Sequence, residues 1–223
     1  MSGRVTIVDY GIGNLLSVSR AFANCGAQIE LTSDRQKIDA AERLVLPGVG
    51  AFGDCMAALT AAKLSETVFA FARSGRPMIG ICVGMQMLFE VGEEFGEHKG
   101  LELIAGRVVR IPDTDSRGMP HKIPHIGWTA IESPALADHV DWNASILDEV
   151  APGTAMYFLH SYTASPADAR NRIADAKYGG RTVSAVVRAG NLWGTQFHPE
   201  KSGPDGLRLL RSFIALKPVQ PAG

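Results

Sequence analysis

Apolar runs and amphipathic stretches alternate along the first 90 residues, and this alternation restricts the fold more than any other feature of the sequence. The apolar runs predict strands at residues 4–9, 28–31, 43–46 and 77–82. The stretches between them predict helices at residues 15–23, 54–59, 63–73 and 85–90. Strands that alternate with helices form a parallel sheet with helices on both faces.

The pattern changes after an acidic, polar segment at residues 92–100, which we expect to be a loop. The remaining sequence predicts strands with few helices between them, at 107–111, 126–131, 155–159, 172–178, 182–188 and 192–196. A last helix is predicted at 206–216, after a start signal at Pro204 and Asp205. This second half therefore favours antiparallel or mixed pairing.

Composition excludes several classes of function. The chain has 223 residues, 46% of them hydrophobic, so we expect one domain over residues 1–217 and a frayed tail at 218–223. A net charge of −1 gives no electrostatic case for nucleic acid or an anionic membrane as a partner. The N-terminus does not have the pattern of a signal peptide, and no apolar run approaches the ~20 residues of a membrane span. Three widely spaced cysteines disfavour a disulfide framework or a zinc site and favour a reducing cytoplasm.

The segment Gly80-Ile81-Cys82-Val83-Gly84 has the form of a nucleophile elbow, a sharp strand-to-helix turn that lifts a reactive side chain out of the sheet. Small flanking residues permit the strained turn, and the positive end of a helix lowers the pKa of a thiol placed there. The backbone N–H of Val83 would point at the oxyanion of an attacked carbonyl. A buried structural cysteine is the alternative for Cys82, because free cysteines are often fully buried.

Three glycines after the strand at 43–46 spell G-x-G-x-x-G: Gly48, Gly50 and Gly53. This pattern is the dinucleotide-binding fingerprint, but the acidic residue expected about 20 positions further on is missing. A glycine-rich turn also serves to bring backbone N–H groups close to a ligand oxygen. The missing acidic residue disfavours nucleotide binding at this motif.

A cysteine nucleophile needs a base and a group that orients the base, and the segment 197–200 (Phe-His-Pro-Glu) contains both types of side chain. Pro199 favours an extended His198, and in an extended segment residues two apart share a face. Glu200 would then accept a hydrogen bond from one ring nitrogen and leave the other for the Cys82 thiol. An ordinary surface turn is the alternative.

Taken together and in this order, the segments resemble the class I (triad) glutamine amidotransferases, from roughly residue 5 to residue 213. The general family motifs are 80–86 and 197–200. A second set resembles the glutaminase subunits of imidazole glycerol phosphate synthase, at 9–15, 47–53, 125–128 and 198–202. The resemblance implies a flavodoxin-like α/β fold with a mixed, mostly parallel central sheet and helices on both faces.

The resemblance also implies a catalytic triad. Cys82 attacks the side-chain amide of glutamine and forms a glutamyl thioester. His198 protonates the leaving ammonia and later activates water, and Glu200 orients His198. No cofactor and no metal ion are expected.

Backbone and binding roles follow from the same resemblance. Oxyanion-hole N–H groups would come from Gly50 and Val83. The glycine strand is expected to reorient before the hole is complete, which makes Val49 part of the predicted hole. The positions that hold glutamine match Gly50, Gln86, Ser161 and Tyr162.

The predicted chemistry requires a partner. Ammonia is mostly protonated and non-nucleophilic in neutral water, so a useful enzyme must pass it to an acceptor away from solvent. The chain has no Walker loop and no convincing phosphate site, so the acceptor chemistry is expected on another polypeptide. The resemblance implies that this polypeptide is the cyclase subunit of imidazole glycerol phosphate synthase, a (β/α)8 barrel, in a heterodimer. We expect Trp128 and Lys201 to face it.

Three other functions stay open at this level. A glutaminase could serve another synthase, such as those of anthranilate, GMP or pyridoxal phosphate, although the second set of motifs disfavours this. A cysteine hydrolase or peptidase of the same architecture would be active without a partner and show no preference for glutamine. A catalytically silent binding subunit is disfavoured by the intact Cys82, His198 and Glu200.

Overall fold

The computed structural model describes residues 3–135 and 141–218, and a nine-stranded sheet runs through the molecule. The first strands lie within two residues of their predicted bounds: β1 (Arg4–Val8), β2 (Gln28–Thr32), β3 (Leu44–Gly48) and β4 (Met78–Cys82). The later strands are β5 (Phe89–Gly92), β6 (His98–Lys99), β7 (Ile104–Arg110), β8 (His125–Glu132), β9 (Ala155–His160), β10 (Tyr162–Pro166), β11 (Arg172–Tyr178), β12 (Arg181–Ala189) and β13 (Leu192–Thr195). The helices are α1 (Leu15–Asn24), α2 (Arg35–Asp39), α3 (Phe52–Ala61), α4 (Ser65–Arg73), α5 (Val83–Gln86) and α6 (Gly203–Ala215).

The large sheet has a parallel half and an antiparallel half. Its strand order is β2-β1-β3-β4-β13-β12-β11-β8-β9. Neighbours from β2 to β13 pair in parallel, and neighbours from β13 to β9 pair antiparallel. The mixed sheet is confirmed, but within the described residues the two kinds of pairing are equal in number rather than mostly parallel. Late strands of the chain supply the whole antiparallel half.

Helices cover both faces of the parallel half. The connection from β1 to β2 runs one way along the sheet, and those from β2 to β3 and from β3 to β4 run the other way. Right-handed crossovers therefore place α1 on one face and α2, α3 and α4 on the opposite face. In agreement, α1 packs against α6, and α2 packs against α4. Strands β3 and β4 are buried along their whole length, as expected for parallel strands covered on both sides.

The helix predicted at residues 85–90 was wrong in its extent. Helix α5 ends at Gln86, and β5 begins at Phe89. Strand β5 belongs to a second, four-stranded sheet of order β10-β7-β5-β6, so the predicted loop at 92–100 also contains a short strand. Met87, Leu88 and Phe89 are all fully buried, and a short run that is apolar on every side has no period to separate helix from strand.

Buried side chains from both sheets and from the helices form one hydrophobic core. Within the described ranges no single helix is long and apolar enough to cross a membrane. Helices α3 and α4 reach that length and hydropathy only when taken together, across a bend of 97°. Of the predicted tail, residues 219–223 lie outside the described residues.

Candidate active site

Strand β4 ends at Cys82, and helix α5 begins at the next residue, Val83. Cys82 has a φ of +55° and a ψ of −112°, a backbone conformation that residues with a side chain rarely adopt. The packing around the turn must therefore hold it in place. The strained turn presents the Cys82 side chain at the carboxyl end of β4, which is the geometry that the Gly-x-Cys-x-Gly motif predicts.

Glycines around this turn allow two backbone segments to approach closely. A Cβ atom on Gly84 would lie 1.9 Å from the Leu46 carbonyl oxygen, and one on Gly48 would lie 2.5 Å from the Gly84 nitrogen. The end of β3 is therefore packed directly beside the elbow, and Gly50 follows with a φ of +87°. This position favours the interpretation in which the glycines bring backbone groups close to a ligand oxygen.

His198 reaches the same place from the neighbouring strand. Strand β13 lies parallel to β4, with Thr195 opposite Ile81, so the two strands end at the same edge of the sheet. His198 follows β13 in an extended conformation, with a φ of −97° and a ψ of 97°. Its Nδ1 lies 2.8 Å from Oε1 of Glu200. The expected sharing of a face by His198 and Glu200 is therefore found in the structure.

The electrostatic environment favours the charged form of His198. Burial by itself lowers the pKa of the ring, but hydrogen bonds with Cys82 and Glu200, together with the negative charges of these partners, raise the pKa to about 10. The thiolate is the nucleophilic form of cysteine, and a protonated imidazole is the form of histidine that can give up a proton. A thiol, an imidazole and a carboxylate in this order form the arrangement that catalysis by a cysteine nucleophile requires.

A cavity of about 330 Å³ opens in front of Cys82. Most of the predicted site residues line it: Val49, Gly50, Cys82, Val83, Gln86, Ser161, Tyr162, His198 and Lys201. Glu200 lies behind His198, and Trp128 lies outside the cavity on β8. Four other residues also line the cavity: Glu94, Pro124, Leu159 and His160. Leu159 and His160 directly precede Ser161, so the same segment held a signal for them.

Comparison with protein families matches the model described as "Glutamine amidotransferase class-I" to residues 6–216. The chain belongs to the class I glutamine amidotransferase family. Among curated proteins, "Imidazole glycerol phosphate synthase subunit HisH 1" of Legionella pneumophila (strain Paris) is 48% identical over 212 residues, which cover 95% of this chain and 99% of the relative. The subunit HisH of Syntrophotalea carbinolica is 46% identical over 210 residues, 94% of this chain and 98% of the relative. These relatives confirm the resemblance seen in the motifs.

Solved structures confirm the fold of this amidotransferase. "Structure of PurLQS from Thermotoga maritima" aligns with a TM-score of 0.69 at 22% identity, covering 96% of this chain and 98% of that chain. A structure described as a glutamine amidotransferase aligns with a TM-score of 0.68 at 16% identity, covering 94% of this chain and 96% of that one. At such identities the likeness concerns the fold alone.

The amidotransferase holds Gln86 firmly in the cavity wall. Gln86 is buried, and its side-chain nitrogen donates hydrogen bonds to the Tyr162 carbonyl oxygen (3.2 Å) and to Oε1 of Gln196 (3.0 Å). Gln196 in turn donates to the Cys82 sulfur at 3.8 Å. Gln196 is a site residue that sequence reasoning missed, although it lies only two residues before His198.

Val49 stands between the elbow and helix α3. Its side chain is 36% exposed and lines the cavity. Its carbonyl oxygen accepts a hydrogen bond from the Cys55 thiol, with an S–O distance of 3.3 Å. A thiol is a weak donor, so this hydrogen bond holds the Val49 carbonyl only weakly.

An aromatic surface lies beside the cavity on the outer face of β8 and β9. Trp128 is 57% exposed, and its ring meets the Tyr157 ring edge-to-face at 6.0 Å. Lys201, which lines the cavity, places its Nζ 5.9 Å from the centre of the Tyr157 ring. Ile126 and Leu159 add exposed apolar area. Trp128 and Lys201 therefore lie on either side of Tyr157. Lys201 is at the cavity mouth, and Trp128 is on the exposed surface beside it.

Proposed function

We propose that this chain is the glutaminase subunit of imidazole glycerol phosphate synthase and that Cys82 carries out the hydrolysis of glutamine. The observation that carries the proposal is the Cys82–His198–Glu200 arrangement at the edge of a cavity. The 40–48% identity to HisH subunits over almost the whole chain supports the choice of synthase.

The triad supports a two-step reaction. The Cys82 thiolate attacks the side-chain carbonyl carbon of glutamine, and the amide nitrogen leaves as ammonia after taking a proton from His198. The product of this step is a glutamyl thioester on Cys82. Water then attacks the thioester, His198 takes a proton from the water, and glutamate leaves as the thiolate forms again. Glu200 keeps the ring in the orientation that serves both steps.

Backbone N–H groups of Gly50 and Val83 would stabilise the oxyanion formed in each step. Val83 is the first residue of α5, directly after Cys82, which is where an oxyanion donor is needed. Reorientation of the peptides around Val49 would complete the hole. Gly50, Gln86, Ser161 and Tyr162 would hold the glutamine backbone, since all four line the same cavity.

The ammonia acceptor would be bound by the cyclase subunit, a (β/α)8 barrel that forms a heterodimer with this chain. There, ammonia would enter imidazole glycerol phosphate and aminoimidazole carboxamide ribotide formation in histidine biosynthesis. Trp128 and Lys201 would meet this partner, because an exposed aromatic residue beside the cavity mouth is typical of an interface anchor. A cytoplasmic location is part of the proposal, in keeping with the free state of all three cysteines.

The deciding experiment measures glutamate release from glutamine by this chain alone, and then with the cyclase subunit and its nucleotide ligand. We expect low activity alone, a large rise with the liganded partner, and loss of activity in Cys82→Ala. Strong activity without the partner would keep the triad but contradict the reorientation around Val49. An inactive mixture in which the complex has formed would contradict the proposal. Rescue of a histidine auxotroph separates this synthase from the others.

A further inference from the structure

A continuous chain of hydrogen bonds runs from strand β8 to the cavity wall. Thr129 Oγ1 lies 2.8 Å from Nε2 of His125, and Nδ1 of His125 lies 3.0 Å from Nε2 of His160. Nδ1 of His160 lies 2.8 Å from the Tyr162 carbonyl oxygen. His125 and His160 are directly opposite each other in the antiparallel pair of β8 and β9. None of these histidine contacts belongs to the proposed triad.

The Tyr162 carbonyl, at one end of this series of hydrogen bonds, determines which ring nitrogens carry protons. The Tyr162 carbonyl only accepts, so Nδ1 of His160 must carry a proton. In a neutral ring Nε2 of His160 is then an acceptor, which requires a proton on Nδ1 of His125. By the same reasoning Nε2 of His125 accepts, and the Thr129 hydroxyl donates to it. The four groups therefore form one directional series of donors and acceptors.

Packing keeps both rings neutral and in place. The His125 ring stacks on Tyr178 at 4.1 Å and on Phe158 at 4.8 Å between ring centres. Burial lowers the pKa of His125 to about 4. Burial also lowers the pKa of His160 to about 3, against the opposing effect of its hydrogen bond to Tyr162. Near neutral pH neither ring gains the second proton that would break the series.

The series of hydrogen bonds joins two functionally different places. The Tyr162 carbonyl accepts from both His160 and Gln86, and all three residues line the cavity. At the other end, Thr129 directly follows Trp128, whose side chain lies on the outer, exposed face of β8. The glycine between His125 and Trp128, Gly127, has a φ of +135°, so β8 departs from regular strand geometry where the hydrogen bond from Thr129 forms.

We propose that Thr129, His125 and His160 are positioning residues that hold the Tyr162 carbonyl, and with it the glutamine-binding segment Ser161–Tyr162, from strand β8. The part that concerns glutamine rests on the proposed function. This series of hydrogen bonds does not touch the reacting atoms. We therefore expect it to affect the binding of glutamine rather than the chemical step. It also gives strand β8, which carries Trp128, a direct connection to the substrate pocket.

The kinetic test uses the complex with the liganded cyclase subunit and compares Thr129→Val with Thr129→Ser. Valine has nearly the same shape but removes the donor, and serine keeps it. A net hydrogen bond corresponds to a change of about three- to tenfold in affinity. We expect KM for glutamine to rise by this factor in Thr129→Val with kcat unchanged, and to return toward the wild-type value in Thr129→Ser. Equal KM values in wild type and Thr129→Val, or equal impairment of both variants, would overturn the proposal.

A spectroscopic test is independent of activity. Long-range ¹H–¹⁵N correlation spectra of histidine-labelled protein report which ring nitrogen carries the proton, and His125→Asn and His160→Asn assign the signals. We expect the Nδ1–H form at both positions near neutral pH, and an Nε2–H form at either ring would overturn the series. If the wild-type complex shows no glutaminase activity but both rings have the Nδ1–H form, the proposed function fails and the hydrogen-bond chain stands.

Discussion

Three buried histidines lie close together in this protein, and their partners give them opposite tendencies to bind a proton. His198 contacts Glu200 and Cys82, which carry negative charge when ionised, and its pKa is raised. His125 and His160 contact one another and neutral oxygen atoms, so burial dominates and lowers both pKa values. The residue type is the same in all three positions. The neighbouring groups decide whether the imidazole binds a proton or stays neutral near neutral pH.

These two neutral histidines predict a specific acid sensitivity. Their ordinary pKa is 6.5, and in the folded protein it is lowered to about 4 for His125 and about 3 for His160. Below pH 6.5 His125 binds a proton in the unfolded chain but not in the folded protein. The free energy of unfolding therefore falls as the pH drops from 6.5 to about 4. The loss attributable to His125 is on the order of 3 kcal/mol.

The measurement is the free energy of unfolding in urea at a series of pH values, for the wild type and for His125→Asn. Asparagine keeps a donor toward His160 and has no titrating group. We expect the variant to be less stable at neutral pH but to lose less stability between pH 6.5 and about 4. Parallel curves for the two proteins would show that His125 is not held neutral by the fold.

At the scale of secondary structure, the elbow depends on backbone packing that only glycine permits. Cys82 adopts its strained conformation between a strand and a helix, and Gly84 lies against the carbonyl of Leu46 on the adjacent strand β3. The helix after the elbow has only four residues, so its own hydrogen bonds cannot hold the turn. The close contact between the elbow and β3 is what keeps Cys82 in place.

We therefore predict that Gly84→Ala destabilises the fold by about 3 kcal/mol or more, because the added Cβ would lie 1.9 Å from a backbone oxygen. Gly118→Ala is the matched control. Gly118 has a φ of +81° and no atom within 4 Å of the added Cβ, so its cost is limited to backbone strain of about 1 kcal/mol. Urea unfolding compares the two variants. Similar costs would mean that the elbow can move away from β3.

At the scale of the whole molecule, the cavity opens at the carboxyl ends of the central strands β4 and β13 and extends toward one edge of the sheet. Strands β8 and β9 form the antiparallel edge with the exposed Trp128, and β2 forms the opposite edge. The cavity mouth lies next to the first of these edges, since Leu159 of β9 lines it. A partner that docks on Trp128 and Lys201 would therefore cover the cavity as well, which suits the transfer of ammonia without contact with solvent.

Substitutions near the cavity mouth and on the far edge strand test this arrangement. Trp128→Ala removes an exposed aromatic anchor, and we expect the Kd for the cyclase subunit to rise at least about tenfold. Lys201→Glu reverses a charge at the cavity mouth and should also weaken the complex. Leu31→Ala, on the far edge strand β2, removes a similarly exposed apolar side chain and should leave Kd unchanged. Calorimetric titration measures all three, and an unchanged Kd for Lys201→Glu would remove that residue from the interface.

The features that were predicted correctly from the sequence depend on short stretches of chain. The elbow at Cys82, the early strands and helices, and the shared face of His198 and Glu200 follow from glycine, proline and apolar spacing within a few residues. The family resemblance added roles to these same positions. The five-residue helix α2 was missed, because it buries only Ile38 and has too few residues to show a period.

Contacts between distant segments could be seen only once the chain was folded. Strand β13 lies beside β4, so His198 lies near Cys82 although the two residues are far apart in sequence. The second sheet, the hydrogen bonds of Gln196, and the pairing of His125 with His160 also join segments that are far apart in sequence. Such pairings depend on strand order and register, which are set by packing of the whole core rather than by local preference. They therefore cannot be predicted from any single stretch of sequence.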